Sequence, residues 1–287
     1  MRRNVMARYS RRDDLSEAPP CTRVLGVIGC EVLMDEVVHV LSKDKRLSTI
    51  AVIESPEGVQ ACQKLKQRAP DKRVVTCSEK DLWPLKSDDA LKAVLLVMPI
   101  SLHQSPADLR EKVLEKLKVL QNVCDSILVF YGLCGNAFRE IDRLSVGLGV
   151  PVTILRDSND KIVDDCVGAI LGGAEEYLQY LREEEGEYPL NSMWAHNWRH
   201  YMHETQILRD ENDLEDAKMV FSCMGYAMVT KLDDGLADFD TFENEVVAFA
   251  NAFELEIRRI DCPLYVVEQS YLLAKERLEK RTDERLL

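Results

Sequence analysis

With 287 residues, 46% of them apolar, and a formal charge of −13, the chain is long enough to bury a sizeable core and too acidic for broad phosphate-backbone binding. The same balance argues against an anionic membrane surface, and the longest apolar stretches, such as AVLLVMPI at 93–100, fall well short of the roughly 20 residues a bilayer span needs. Nine cysteines and no apolar leader point to a reducing, cytoplasmic setting, where a cysteine is core filler, ligand or nucleophile rather than half of a disulfide.

Residues 1–21, basic at Arg2, Arg3, Arg11 and Arg12, are expected to form a disordered tail. From Thr22 to about Glu185, short β-branched runs alternate with amphipathic segments, the pattern of βαβ units. Six strands are predicted: VLGVIG at 24–29, TIAVIE at 49–54, RVVTC at 73–77, AVLLVMPI at 93–100, SILVFYGL at 126–133 and PVTILR at 151–156. The last three are almost continuously apolar, as strands covered on both faces must be. Between the strands, 31–42, 56–69, 106–122 and 137–147 carry apolar residues at spacings of three and four, with Pro56 and Pro106 near helix starts. After Cys166, VGAILGGAEEYLQYLREEE reads as one long helix, and 214–235, 242–260 and 264–284 read as three more. The expected class is therefore α/β: a mainly parallel, Rossmann-like sheet flanked by helices in a domain over 22–185, with a helical C-terminal layer over 186–287 packed on it. That layer would cover the mouth of the sheet or form a homodimer interface.

Cys30, Cys134 and Cys166 each stand where an apolar, strand-like run gives way to a loop or helix. The crevice outside the carboxyl ends of parallel strands is where open α/β sheets bind ligands, so three soft ligands distant in sequence are placed at one sheet edge. Three thiolates can hold zinc with one position open, or an iron–sulfur cluster; the alternative is three buried core thiols. His103, just after the fourth strand, would be a fourth ligand or an acid/base group. Glu31 and Asp165 would orient ligands or accept a proton.

Four strings, LHQSPADL at 102–109, YGLCGNA at 131–137, DCVGAILGG at 165–173 with Tyr177, and Trp194 after GEYPL, resemble the domain-of-unknown-function family sixteen-thirty-eight, over roughly residues 24–270. The resemblance implies that Cys30, His103, Cys134 and Cys166 occupy the family's polar positions, with Asn136 and Asp165 as their neighbours. It also implies an anaerobic, corrinoid-linked one-carbon setting, with a corrinoid protein or methyltransferase as partner. Two departures stand out: RDSNDKIVD separates Leu155 from Asp165, and Ala137 replaces a usual glycine.

Other readings compete. YGLCGNA is elbow-like, so Cys134 could be a nucleophile with His103 as base. A non-catalytic accessory protein docking through the helical layer is the third class. His196, His200 and His203 share one face if 192–205 is helical, but no H-E-x-x-H accompanies them. GVIGCE lacks the third glycine of a dinucleotide fingerprint, and no Walker A loop occurs. Cys21, Cys62, Cys77, Cys124, Cys223 and Cys262 show no such convergence and read as core or surface. The stripes Met219, Met224, Tyr226 and Met228, and Tyr265, Val266, Tyr271 and Leu272, read as core or interface.

Overall fold

A computed structural model describes residues 23–286 apart from 83–84, 86–89 and 212, so the expected N-terminal tail and Cys21 lie outside the described residues. Six parallel strands form the main sheet: β1 (Arg23–Cys30), β2 (Thr49–Ile53), β3 (Arg73–Cys77), β4 (Leu91–Met98), β5 (Ser126–Phe130) and β6 (Val152–Ile154), in the order β3-β2-β4-β1-β5-β6. Chain connections leave β1 towards one edge and cross from β4 over β1 to β5, so the switch point lies at β1.

The sheet is buried on both faces. On one, the apolar stripes of α1 (Met34–Lys43), α2 (Pro56–Arg68) and α10 (Tyr265–Leu286) enclose Leu25, Val27, Leu95 and Leu128. On the other, Leu109, Val113 and Leu117 of α3 (Pro106–Leu120) pack on Ile28, Val94 and Ile127. Ser55 and Ser105 cap α2 and α3, accepting hydrogen bonds from the backbone N–H groups of Gly58 (2.9 Å) and Asp108 (3.3 Å), with proline in the first turn of each helix. The stretch predicted helical over 137–147 keeps only the short α4 (Ile141–Ser145).

Two differences in the C-terminal half have clear causes. The single helix expected after Cys166 is two, α5 (Cys166–Leu171) and α6 (Ala174–Glu183), because Gly172 and Gly173 take φ of 111° and 143° between them. The helices α7 (Ser192–Glu204), α8 (Glu215–Met224) and α9 (Phe239–Phe253) are present, but a second parallel sheet runs among them: β7 (Glu187–Leu190), β8 (Met228–Asp233) and β9 (Glu256–Asp261), in that order. The segments 228–233 and 256–260 read as helix because MVTKLD and EIRRI continue an apolar spacing that a short strand also satisfies, β8 being buried along its middle and β9 largely exposed. Trp198, Phe221, Phe242 and Phe249 form the core of this second sheet unit. Among the described residues, no helix is long and apolar enough to cross a membrane.

The chain closes on itself through α10. Asp44, after α1, accepts hydrogen bonds from the Lys275 ammonium and the Tyr271 hydroxyl, the latter at 2.8 Å, and Asp44 and Lys275 are both about 6% exposed at the side chain. Burial pushes the Asp44 carboxyl up, but the Lys275 hydrogen bond and charge outweigh it and hold the group below its usual range. Lys275→Met would leave that carboxylate buried without its cation. It should lower stability by about 3 kcal/mol in urea denaturation, whereas replacing both partners by apolar residues should cost much less.

Candidate functional site

The ends of β4, β1 and β5 lie side by side, and Cys30 pairs in register with Met98. Cys30 is the last residue of β1 and only 2% exposed. The turn after β4, Ile100–Gln104, brings His103 across, and its Nε2 lies 3.6 Å from Cys30 Sγ. The His103 ring stacks on Tyr131, the first residue beyond β5. Glu31 ties the first turn to the second, its carboxylate accepting a 2.5 Å hydrogen bond from Ile100 N–H.

Cys134 reaches the cluster by a different route. Ladder pairing of β5 with β6 ends at Val129↔Ile154, after which the chain continues the contact by loop bonds: Leu133 N–H donates to Val163 O and Cys134 N–H to Asp164 O, both at 2.8 Å. Gly132 makes this approach sterically feasible, since a Cβ there would stand 2.5 Å from Val163 O and 2.8 Å from Asp165 N. Cys134, Gly135 and Asn136 then follow in left-handed conformation, with φ of 45°, 65° and 66°. That conformation is ordinary for Gly and Asn but costly for Cys. Asn136 itself is exposed.

The insertion RDSNDKIVD does not displace Cys166. It folds back through an antiparallel bridge, Arg156↔Ile162, and Val163 N–H returns to Leu155 O at 3.3 Å. Asp165 then caps α5, accepting from Val167 N–H (2.9 Å) and Gly168 N–H (3.0 Å) and from the Tyr177 hydroxyl (3.2 Å), which sets Cys166 in the first turn.

The three thiols perturb one another. Burial pushes all three above their usual range; the charge of Cys134 adds to this at Cys30, that of Cys166 at Cys134, and that of Cys30 at Cys166. Glu31, Asp165 and Glu36 act in the same direction. Glu31 and Asp165 are themselves raised, chiefly by burial, and burial pushes His103 down to about 4, so its imidazole is neutral at neutral pH. Among the described residues, no three His, Cys, Asp or Glu side chains stand ready to hold an ion in their present rotamers. The base expected for Cys134 meets Cys30 instead.

Beside Cys166 opens a cavity of about 280 Å³, lined by Val32, Tyr177, Tyr188, Trp194 and Tyr226 among others. The sequence patterns gave no hint of it, because its walls come from both sheet units. The histidines of α7 do not converge: a non-helical Asn197 (φ −115°, ψ 17°) interrupts their face, and His196, His200 and His203 pair separately with Glu245, Glu211 and Glu204. Met219 and Met224, expected in the core or an interface, are exposed.

Two outcomes follow. Gly132→Ala should destabilise the protein by about 3 kcal/mol, because the obstructing atoms are backbone that cannot turn aside, and should make Cys134 more reactive to an alkylating reagent in the folded protein; unchanged stability and reactivity would show that the loop has room. An unfolded histidine titrates near 6.5, while folded His103 resists protonation to about 4. The unfolded state therefore binds more protons in that window, and the His103 contribution to stability declines as pH falls through it. The stability difference between the wild type and His103→Asn, in denaturation at several pH values, should shrink from pH 7 to 4; a constant difference would mean that the ring titrates freely.

Comparison with curated proteins finds no match. A family model described as protein of unknown function, DUF1638, matches residues 97–271, more than half of the chain, and includes His103, Cys134 and Cys166 while Cys30 and Glu31 precede the matched span. The chain therefore belongs to the DUF1638 family.

Proposed function

We propose that the chain binds a soft metal ion or metallocofactor through Cys30, Cys134 and Cys166, with His103 beside them as a further ligand or proton carrier. The observation that supports the reading best is positional: Cys30 at the end of β1, Cys134 in the loop after β5 and Cys166 in the first turn of α5 lie near enough for each thiol to raise the pKa of another, with Cys30 and Cys134 buried and Cys166 partly so, and the charged groups acting on them are carboxylates. Such thiols lose their protons only in exchange for a cation, and a thiophilic ion supplies one. Core filler alone does not explain why carboxylates lie near these thiols in poorly solvated surroundings, where each uncompensated anion is costly. The reading requires the thiols to turn towards one another and His103 to release Cys30.

The same field disfavours Cys134 as a nucleophile, since a reactive thiolate needs a nearby cation to lower its pKa. Zinc would leave the protein colourless and redox-silent, whereas a three-cysteine iron–sulfur cluster would be brown and oxygen-sensitive. In the corrinoid-linked one-carbon setting implied by the family resemblance, the site would polarise a small substrate or activate a thiol reaching it through the cavity at Cys166.

Elemental analysis and an absorption spectrum on protein purified without oxygen test this directly. About one bound metal equivalent or cluster is expected, lost in Cys134→Ala, with uptake strengthening as pH rises because binding releases thiol protons. Protein that is metal-free and takes up no stoichiometric zinc or iron on reconstitution would overturn the reading.

A further inference from the structure

The cavity beside Cys166 has a lining of unusual chemistry. Tyr177, Tyr188, Trp194 and Tyr226 contribute rings to it, each residue partly buried; Tyr188 meets Tyr226 edge-on at 5.4 Å and stacks on Phe249, Trp194 packs on Tyr201, and none of the lining residues carries a basic side chain. Part of the polar wall is already engaged, but the indole Nε1–H of Trp194 is buried and has no hydrogen-bond partner among the described residues. The Asn191 amide donates to Val32 O at 2.8 Å and accepts from the backbone N–H of Trp194 at 3.0 Å. The Tyr177 hydroxyl is given to Asp165, and the Glu187 carboxylate accepts from Thr230 and from Arg258, the latter at 2.9 Å. The lining thus offers a ligand aromatic edges and faces, one unpaired indole N–H, and carboxylates at Glu187 and behind Tyr177.

From this we infer that the cavity binds a small organic cation whose charge is spread over an apolar body, of the quaternary ammonium or sulfonium class. Such a cation needs no hydrogen-bond acceptor and is attracted by the negative faces of several aromatic rings at once. An anion would find no counter-charge in the lining. The volume, about 280 Å³, lies just below the range of pockets for drug-sized ligands, and so suits a ligand of choline size rather than a nucleotide. The inference goes beyond the thiol site and stands whether or not the cysteines hold a metal.

Calorimetric titration of the full chain with choline, with its neutral isostere 3,3-dimethylbutan-1-ol, and with pivalate separates charge from shape. Choline should bind at least about tenfold more tightly than the isostere, and pivalate should not bind. Tyr226→Leu, at a half-buried position, should reduce choline affinity about tenfold, and Tyr226→Phe, which keeps the π face, should restore most of it. The same titration on Met219→Ser, an exposed position outside the cavity lining, should be unchanged. Equal binding of the neutral isostere, or absence of saturable choline binding at tens of millimolar, would overturn the inference.

Discussion

The candidate site depends on one close backbone approach, that of the loop after β5 to the segment 163–165. Where the β5–β6 ladder ends, Leu133 and Cys134 donate to Val163 and Asp164, and the absence of a side chain at Gly132 leaves the space for them. Those bonds hold Cys134 in a conformation a cysteine rarely adopts, and they place Asp165 so that it can start α5 with Cys166 in its first turn. A cluster assembled this way is only as well positioned as the backbone contact beneath it, which is why a strained residue survives there.

The electrostatics of the cluster run against stability. Neutral thiols, a neutral imidazole and carboxylates with raised pKa are all compromises with burial, and a core of aliphatic side chains would avoid them. They gather at the carboxyl ends of the central strands, where the β1–β4 ladder ends at Cys30↔Met98. Some buried charges elsewhere are matched: Asp44 has Lys275 and Tyr271, and the buried Lys231 has Glu243 at 2.7 Å. Glu36 of α1 is an exception, buried with neither carboxylate oxygen hydrogen-bonded among the described residues, and burial together with Asp234 and Asp35 raises its pKa.

The second sheet unit acts as a roof. Asn191, at the start of α7, donates to Val32 O, and the Ser192 hydroxyl donates to Asp35 at 2.8 Å, so α7 is docked on the turn that follows Cys30. The rings of Trp194 and Tyr201 pack against each other at a tilt of 57° next to the turns after β1 and β4. The aromatic wall of the cavity is thus a by-product of how β7 and α7 are anchored. Meanwhile α10 returns to the main sheet and covers the face opposite α3, so the two ends of the described chain are joined through one core.

Much of the scaffold was legible in the residues. Near-continuous apolar runs mark β4 and β5 because a strand buried on both faces has no polar side to alternate with, and Ser-Pro pairs mark the starts of α2 and α3 because both residues act locally. Strand-end positions likewise identified Cys30, His103, Cys134 and Cys166 as groups that could meet. The break at Gly172 and Gly173 was visible as a pair of glycines but was outweighed by the helical spacing around them. The strands β8 and β9 were not legible, since six residues with apolar positions at mixed spacing satisfy either structure until a neighbour supplies a ladder. The sequence by itself determined that the apolar runs of β1, β4 and β5 would be buried strands and where the chain would leave them, because those choices follow from side-chain polarity and local backbone preference. Only the tertiary structure decided that His103 meets Cys30 rather than Cys134, that the histidines of α7 part company, and that aromatic rings from distant segments enclose a cavity, because each depends on contacts between elements whose relative placement no local pattern encodes.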